Sequence, residues 1–180
     1  MVNDQGGVNG RMIDFLSYDD AYSPPKTVEM TRKLVEQDHV FLIAGALGTP
    51  TQSAVWHYMN QKKVPQLFVS TGASKWNDPK GHPWTIGWQP NYHGEGLIYA
   101  AYILKHLPGA KVGVLYQDDD FGKDYLRGVS DGLKKANLKV VVAASYETTD
   151  TTVDSQVIAM KSAGCNAFVN TAIPKFAAQA

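Results

Sequence analysis

The chain has 180 residues, 44% of them apolar and 19% charged, with 17 basic against 17 acidic side chains and so no net charge. That is the composition of one folded domain or two small ones, and it excludes disorder as the main state. The neutral balance also excludes a protein held mainly by nucleic-acid phosphates or by an anionic membrane surface.

The predicted elements alternate along the chain. Arg11–Tyr18, with Met12, Ile13, Phe15 and Leu16, reads as a strand followed by a turn at Asp19-Asp20. After Ser23-Pro24-Pro25, a helical stripe of Val28, Met30, Leu34 and Val35 runs from Lys26 to about Gln37. Val40–Ala44 is an apolar run of strand length, Gly45–Pro50 a loop, and Thr51–Lys62 a helix with Val55, Tyr58 and Met59 on one side. Gln66–Ser70 is a short strand and Ser70–Gly81 a loop. Trp84–Tyr92 holds Trp, Pro, Gly and Tyr without helical pattern and marks a domain boundary. His93–His106 is helical with Leu97, Ala100, Ala101 and Leu104 on one side, and Pro108-Gly109 stops it. Strand Lys111–Tyr116, helix Phe121–Ala136, strand Leu138–Ala144, helix Asp154–Ala163 and strand Ala167–Asn170 follow, and Pro174 opens a last helix.

Strands alternating with helices imply right-handed β-α-β units. Continuous rather than alternating apolar strands fit parallel sheets covered on both faces. The expected fold is α/β, two doubly wound parallel-sheet lobes over 1–90 and 91–180, both incomplete. No apolar run approaches the roughly 18 residues of a membrane span. Met1–Gly7 carries neither the basic nor the apolar region of a signal peptide, a statement about these residues only. The single cysteine, Cys165, cannot form an internal disulfide.

In open α/β sheets ligands sit beyond the carboxyl ends of the strands. Gly45-Ala46-Leu47-Gly48-Thr49-Pro50-Thr51 follows one apolar run, with Thr49 suited to cap a helix and Pro50 to open it. Free N–H groups and the positive end of a helix dipole there suit a carboxylate or phosphate. The plainer reading is an ordinary helix cap, and the Gly-Lys-Ser/Thr of a P-loop is missing. Ser70-Thr71-Gly72-Ala73-Ser74 offers hydroxyls and backbone donors after the next strand, or simply a tight turn. Gln117-Asp118-Asp119-Asp120-Phe121-Gly122 follows a third. Its carboxylates could hold Mg²⁺, but capping and charge-matching of a helix N-terminus is the stronger reading. His39, His57, His82, His93 and His106 show no ligand spacing supported by a cysteine or carboxylate, so no metal site is expected. Ser53, Ser70 and Ser74 lack the Gly-x-Ser-x-Gly elbow of a hydrolase nucleophile. Trp76, Trp84 and Trp88 read as packing of a long loop, with a hydrophobic ligand wall as the alternative.

The stretch Gly6-Gly7-Val8-Asn9-Gly10-Arg11, then Tyr18-Asp19-Asp20, Pro24 and Lys33-Leu34-Val35 resembles the start of the type I periplasmic binding proteins, in the leucine/isoleucine/valine-binding branch that serves ABC importers. Gly45–Thr51, Ser70–Ser74 and Tyr116–Gly122 resemble that branch in order and spacing, and the similarity runs over essentially the whole chain. The resemblance implies two lobes joined by hinge strands, with a small ligand closed between them. It implies no catalysis and no cofactor. It places the ligand's carboxylate and ammonium on the loops that hold Thr49, Thr51, Ser70, Thr71, Ala73 and Ser74. It places Phe121 over the ligand from the second lobe and Ala172 at a second-lobe contact. It implies a periplasmic location and the membrane subunits of an ABC importer as partners, with no nucleic acid.

The family starts with a strand and helix that would precede Asn3 and continues well past Ala180, so the chain is expected to be roughly its first half. By itself it is expected to bind ligand weakly or not at all. Two rivals stand beside this reading: a cytoplasmic ligand-sensing module on the same fold, and a doubly wound phosphate-handling enzyme using Asp118–Asp120.

Overall fold

The computed structural model describes all 180 residues. Six strands form two separate three-stranded sheets, every pairing parallel. In the first, β1 (Ile43–Ala44), β2 (Gln66–Val69) and β3 (Thr85–Gly87) lie in sequence order. In the second, β4 (Val112–Gln117) is central, between β5 (Val140–Tyr146) and β6 (Ala167–Thr171). The helices are α1 (Pro24–Arg32), α2 (Thr49–Lys62), α3 (Tyr92–His106), α4 (Asp120–Lys134), α5 (Asp154–Ser162) and α6 (Pro174–Gln179). No helix is long and apolar enough to cross a membrane.

The second sheet shows why its strands are continuous apolar runs. Successive β4 side chains point to opposite faces. Val112 and Val114 join Ala100 and Ile103 of α3, Val129 and Leu133 of α4 and Val169 of β6 in one core. Leu115 enters a second core with Tyr146, Val153, Met160 and Phe176. Both faces of β4 are therefore covered, as in a doubly wound sheet, while β5 and β6 alternate and leave Val141 and Phe168 exposed. Each fully buried Val or Leu contributes about 1.5–3 kcal/mol.

The first sheet is smaller, and its core is Trp56, Val69, Ala73 and Trp76, with Tyr92 packed against it. Two expectations are corrected here. Arg11–Tyr18 is not a strand. Met12–Asp19 makes no backbone ladder, and Met12, Ile13, Phe15 and Leu16 are exposed. Side-chain bonds hold it instead: Asn3 Oδ1 accepts from Ile13 N at 2.9 Å, Asn3 Nδ2 donates to Ile13 O at 2.8 Å, and Tyr18 Oη donates to Asp38 Oδ2 at 3.0 Å. A strand is stable only where a neighbour takes its N–H and C=O groups, and none lies alongside. Of Val40–Ala44 only Ile43–Ala44 pairs, because His39 turns the chain with a positive φ of 50° just before it. Trp84–Tyr92, which shows no helical pattern in the sequence, holds the short strand β3 and ends where α3 begins.

Candidate functional site

The loops after β1 and β2 lie side by side. Ser70 N donates to Ala46 O at 2.9 Å, and Leu47 pairs with Ser70 as an isolated parallel bridge. The helix cap differs from expectation: α2 begins at Thr49, and Gly48, at φ 105°, is the N-cap. Only glycine fits there, because a Cβ would stand 2.5 Å from the Tyr22 ring and 2.6 Å from Thr51 Oγ1.

Released from capping, the Thr49 side chain turns to the neighbouring loop and meets Thr71 Oγ1 at 2.5 Å. Thr71 Oγ1 already accepts from Ala73 N at 3.2 Å and from Trp76 Nε1 at 3.3 Å. A hydroxyl has two acceptor positions and one proton, so Thr71 donates its proton to Thr49. The Thr49 O–H is then an unspent donor at the sheet edge, where both threonines are buried.

The other expected residues fall into distinct places. Thr51 is fully buried and donates to Leu47 O at 2.5 Å and Gly48 O at 3.0 Å, which ties down the loop. Ser70 continues the β2 edge, and Ala73 is buried in the first core. Ser74 faces the second half of the molecule. Its N–H donates to Asp124 Oδ2 at 2.6 Å, and its Oγ accepts from Asn91 Nδ2 at 3.0 Å and the Arg127 guanidinium at 3.3 Å. Phe121 packs edge-on against Tyr92 and Tyr125, with centroids 5.2 and 5.7 Å away. Ala172 packs against the core of Tyr146 and Phe176.

The acidic stretch resolves into separate duties. Asp119 caps α4, accepting from Phe121 N at 2.9 Å and Gly122 N at 3.4 Å. Asp118 pairs with Lys123 and Asp120 with Lys75. The carboxylates diverge, and no cluster of three His, Cys, Asp or Glu able to hold a metal forms.

Five residues outside the expected set form a polar chain from the second sheet to the loop before α1. Ile173 N donates to Tyr146 Oη at 2.9 Å, Tyr146 Oη donates to Gln117 Oε1 at 3.1 Å, and Gln117 Nε2 donates to Asp119 Oδ2 at 2.7 Å. The same Nε2 lies 3.5 Å from Tyr22 Oη, across from the Gly48 turn. Burial pushes the Tyr146 phenol up to about 12. It also raises the Tyr22 phenol and the Asp119 carboxyl, against the hydrogen bonds of Gln117, so the phenols stay neutral donors. Tyr22 carries no sequence signal beyond its turn. Gln117 reads as part of the acidic stretch, and only the fold shows that the two face each other.

The family model described as periplasmic binding protein matches residues 1–180. The chain belongs to the periplasmic binding protein family. Within it, the curated Leu/Ile/Val-binding protein of Escherichia coli K12 is 24% identical over 140 residues, which is 78% of this chain and 38% of that protein. A substrate-binding periplasmic protein from Ralstonia solanacearum superposes with a TM-score of 0.85 at 27% identity, covering 99% of this chain and 50% of that one. A fatty acid ABC transporter substrate-binding protein from Thermomonospora curvata gives 0.84 at 27% identity, covering 99% and 45%. These matches support the type I, leucine/isoleucine/valine branch anticipated from the motifs. The chain spans 38% of the length of the curated relative, so for this periplasmic binding protein the site described is the portion these residues supply.

Proposed function

We propose that the two sheets are the two lobes, 1–90 and 91–180, of the substrate-binding component of an ABC importer. The protein acts in the periplasm and delivers its ligand to membrane subunits. It binds a small carboxylate, such as a branched-chain amino acid, between the lobes. The carboxylate sits against the loops of Thr49, Thr51, Ser70, Thr71, Ala73 and Ser74, with Phe121 and Ala172 on the second lobe. Its chemistry is non-covalent, and no cofactor takes part.

The observation that carries this reading is the Thr49–Thr71 pair, which leaves one buried hydroxyl donor unspent beside the α2 N-terminus. A buried donor is costly to leave unmatched, and a carboxylate oxygen satisfies it while facing the positive end of the helix. Thr51 has its hydroxyl engaged by its own loop, so its part is to hold the loop's shape. Catalysis has no support: the relatives named above are binding proteins, and the carboxylates an enzyme would need are dispersed.

The test is Thr49→Val in the full-length protein, which keeps shape and removes the hydroxyl. Calorimetry with L-leucine is expected to show a loss of about 1–3 kcal/mol, the cost of a missing partner to a charged group. Unchanged affinity would remove Thr49 from the site.

A further inference from the structure

On the face of the first sheet's half carrying Trp56, two imidazoles face each other. His57 stands on α2 and is exposed, while His82 lies in the loop before β3. His57 Nδ1 and His82 Nε2 are 3.2 Å apart. We propose that this pair binds a divalent transition metal, with zinc the best fit. The site is independent of the ligand cleft.

Three features support it. The first is spacing. Zinc–nitrogen bonds of about 2.0–2.1 Å at a tetrahedral angle hold two nitrogens about 3.3–3.4 Å apart, close to the separation seen. The right angles of square-planar or octahedral coordination draw them in to about 2.8–3.0 Å, so copper and nickel fit less well.

The second is orientation. Asp78 Oδ2 lies 2.9 Å from His82 Nδ1, on the ring's other side. A carboxylate there keeps the proton on Nδ1, so Nε2 carries a lone pair, the arrangement that supports metal-ligating histidines. Without metal that lone pair accepts from His57 Nδ1–H at 3.2 Å, and a metal displaces this one proton. Asp78 is itself held by Gly81 N at 3.0 Å.

The third is rigidity. The His82 ring stacks on Trp56 with centroids 3.5 Å apart and an interplanar angle of 25°. Trp56 is buried in the first core, so it fixes the imidazole plane. Two nitrogens are thus in place before a metal arrives. No third His, Cys, Asp or Glu joins them, so the remaining positions fall to water. The sequence hides the site, because His57 and His82 are 25 residues apart.

The experiment is calorimetric titration of the full chain, prepared without a polyhistidine tag, with zinc chloride and with magnesium chloride as control. One zinc per chain and no magnesium heat are expected. His57→Ala is expected to abolish the zinc isotherm, and since His57 is exposed the variant keeps its fold, checked by circular dichroism. His82→Ala is expected to do the same, and Asp78→Asn to weaken binding about 10-fold. Absence of zinc binding to the parent chain would overturn the proposal, as would a parent-like isotherm in folded His57→Ala. If His82→Ala fails to fold, His57→Ala decides alone.

Discussion

Asp119 does two jobs with one carboxylate, capping α4 and anchoring Gln117. Asparagine caps helices about as well as aspartate, whereas alanine cannot. Asp119→Ala is therefore expected to cost about 1 kcal/mol in urea unfolding, and Asp119→Asn much less. The pH dependence separates charge from hydrogen bonding. Burial raises the Asp119 carboxyl above its ordinary 3.8, so the folded state holds the proton more tightly than the unfolded one. The stabilisation this gives is fully present below 3.8 and is lost as pH rises through the raised folded value. Relative to Asp119→Asn, the parent is therefore expected to gain stability as the buffer is lowered from pH 7 towards about 4. A constant difference across that range would show that burial of the charge carries no cost. The local sequence reveals the cap, since an aspartate before a helical stripe is its usual signal. It does not reveal Gln117's partner Tyr22, which lies 95 residues away.

The α3–α4 contact runs through small residues. A Cβ on Gly128 would stand 2.1 Å from His93 O, one on Gly96 2.7 Å from Tyr125 O, and one on Gly132 2.4 Å from Ala100 Cβ. Such glycines let two backbones approach closely, which their intrinsic helix cost would otherwise argue against. Gly128→Ala is expected to destabilise by about 1–3 kcal/mol, as overpacking does. Gly94→Ala meets nothing within 4 Å and is expected to stabilise α3 by about 0.5–1 kcal/mol. Thermal melts of the two variants should move in opposite directions, and equal shifts would mean the helices do not meet through glycine. The apolar spacing of Tyr125, Val129 and Leu133 made α4 legible in the sequence, and all three are buried. The second sheet was equally legible, because covered parallel strands are unbroken apolar runs. The first sheet was legible in β2 and in the end of Val40–Ala44, which is β1, but not in its third strand. β3 has three residues, too few for any period to show. Arg11–Tyr18 has the composition of a strand, but strand formation depends on a neighbour that local sequence cannot reveal.

The two halves of the molecule meet through few polar contacts. Tyr92 N donates to Gly72 O at 2.8 Å where the chain crosses over, Ser74 N reaches Asp124, and Lys75 pairs with Asp120 at 2.9 Å. The Lys75–Asp120 pair is largely exposed and worth about 0–1 kcal/mol, so the stronger polar tie is the charge-assisted bond from Ser74 N to the buried Asp124 carboxylate. Position at the strand ends was enough to single out the loops of Thr49 and Thr71 from sequence, and they do adjoin. The neighbours of Phe121 (Tyr92 and Tyr125) and of Ala172 (the Tyr146–Phe176 core) come from packing that no local pattern announces. The central claim is that the paired loops receive a carboxylate. It is tested most directly by titrating the ¹⁵N-labelled full chain with L-leucine, and separately with leucinamide, while following backbone amide shifts. A signal from weak binding suffices. The expected result is leucine-dependent shifts centred on Gly48, Thr49, Thr71 and Ala73, with leucinamide leaving them in place. Equal shifts with leucinamide, or leucine shifts confined to residues away from these loops, would contradict the claim.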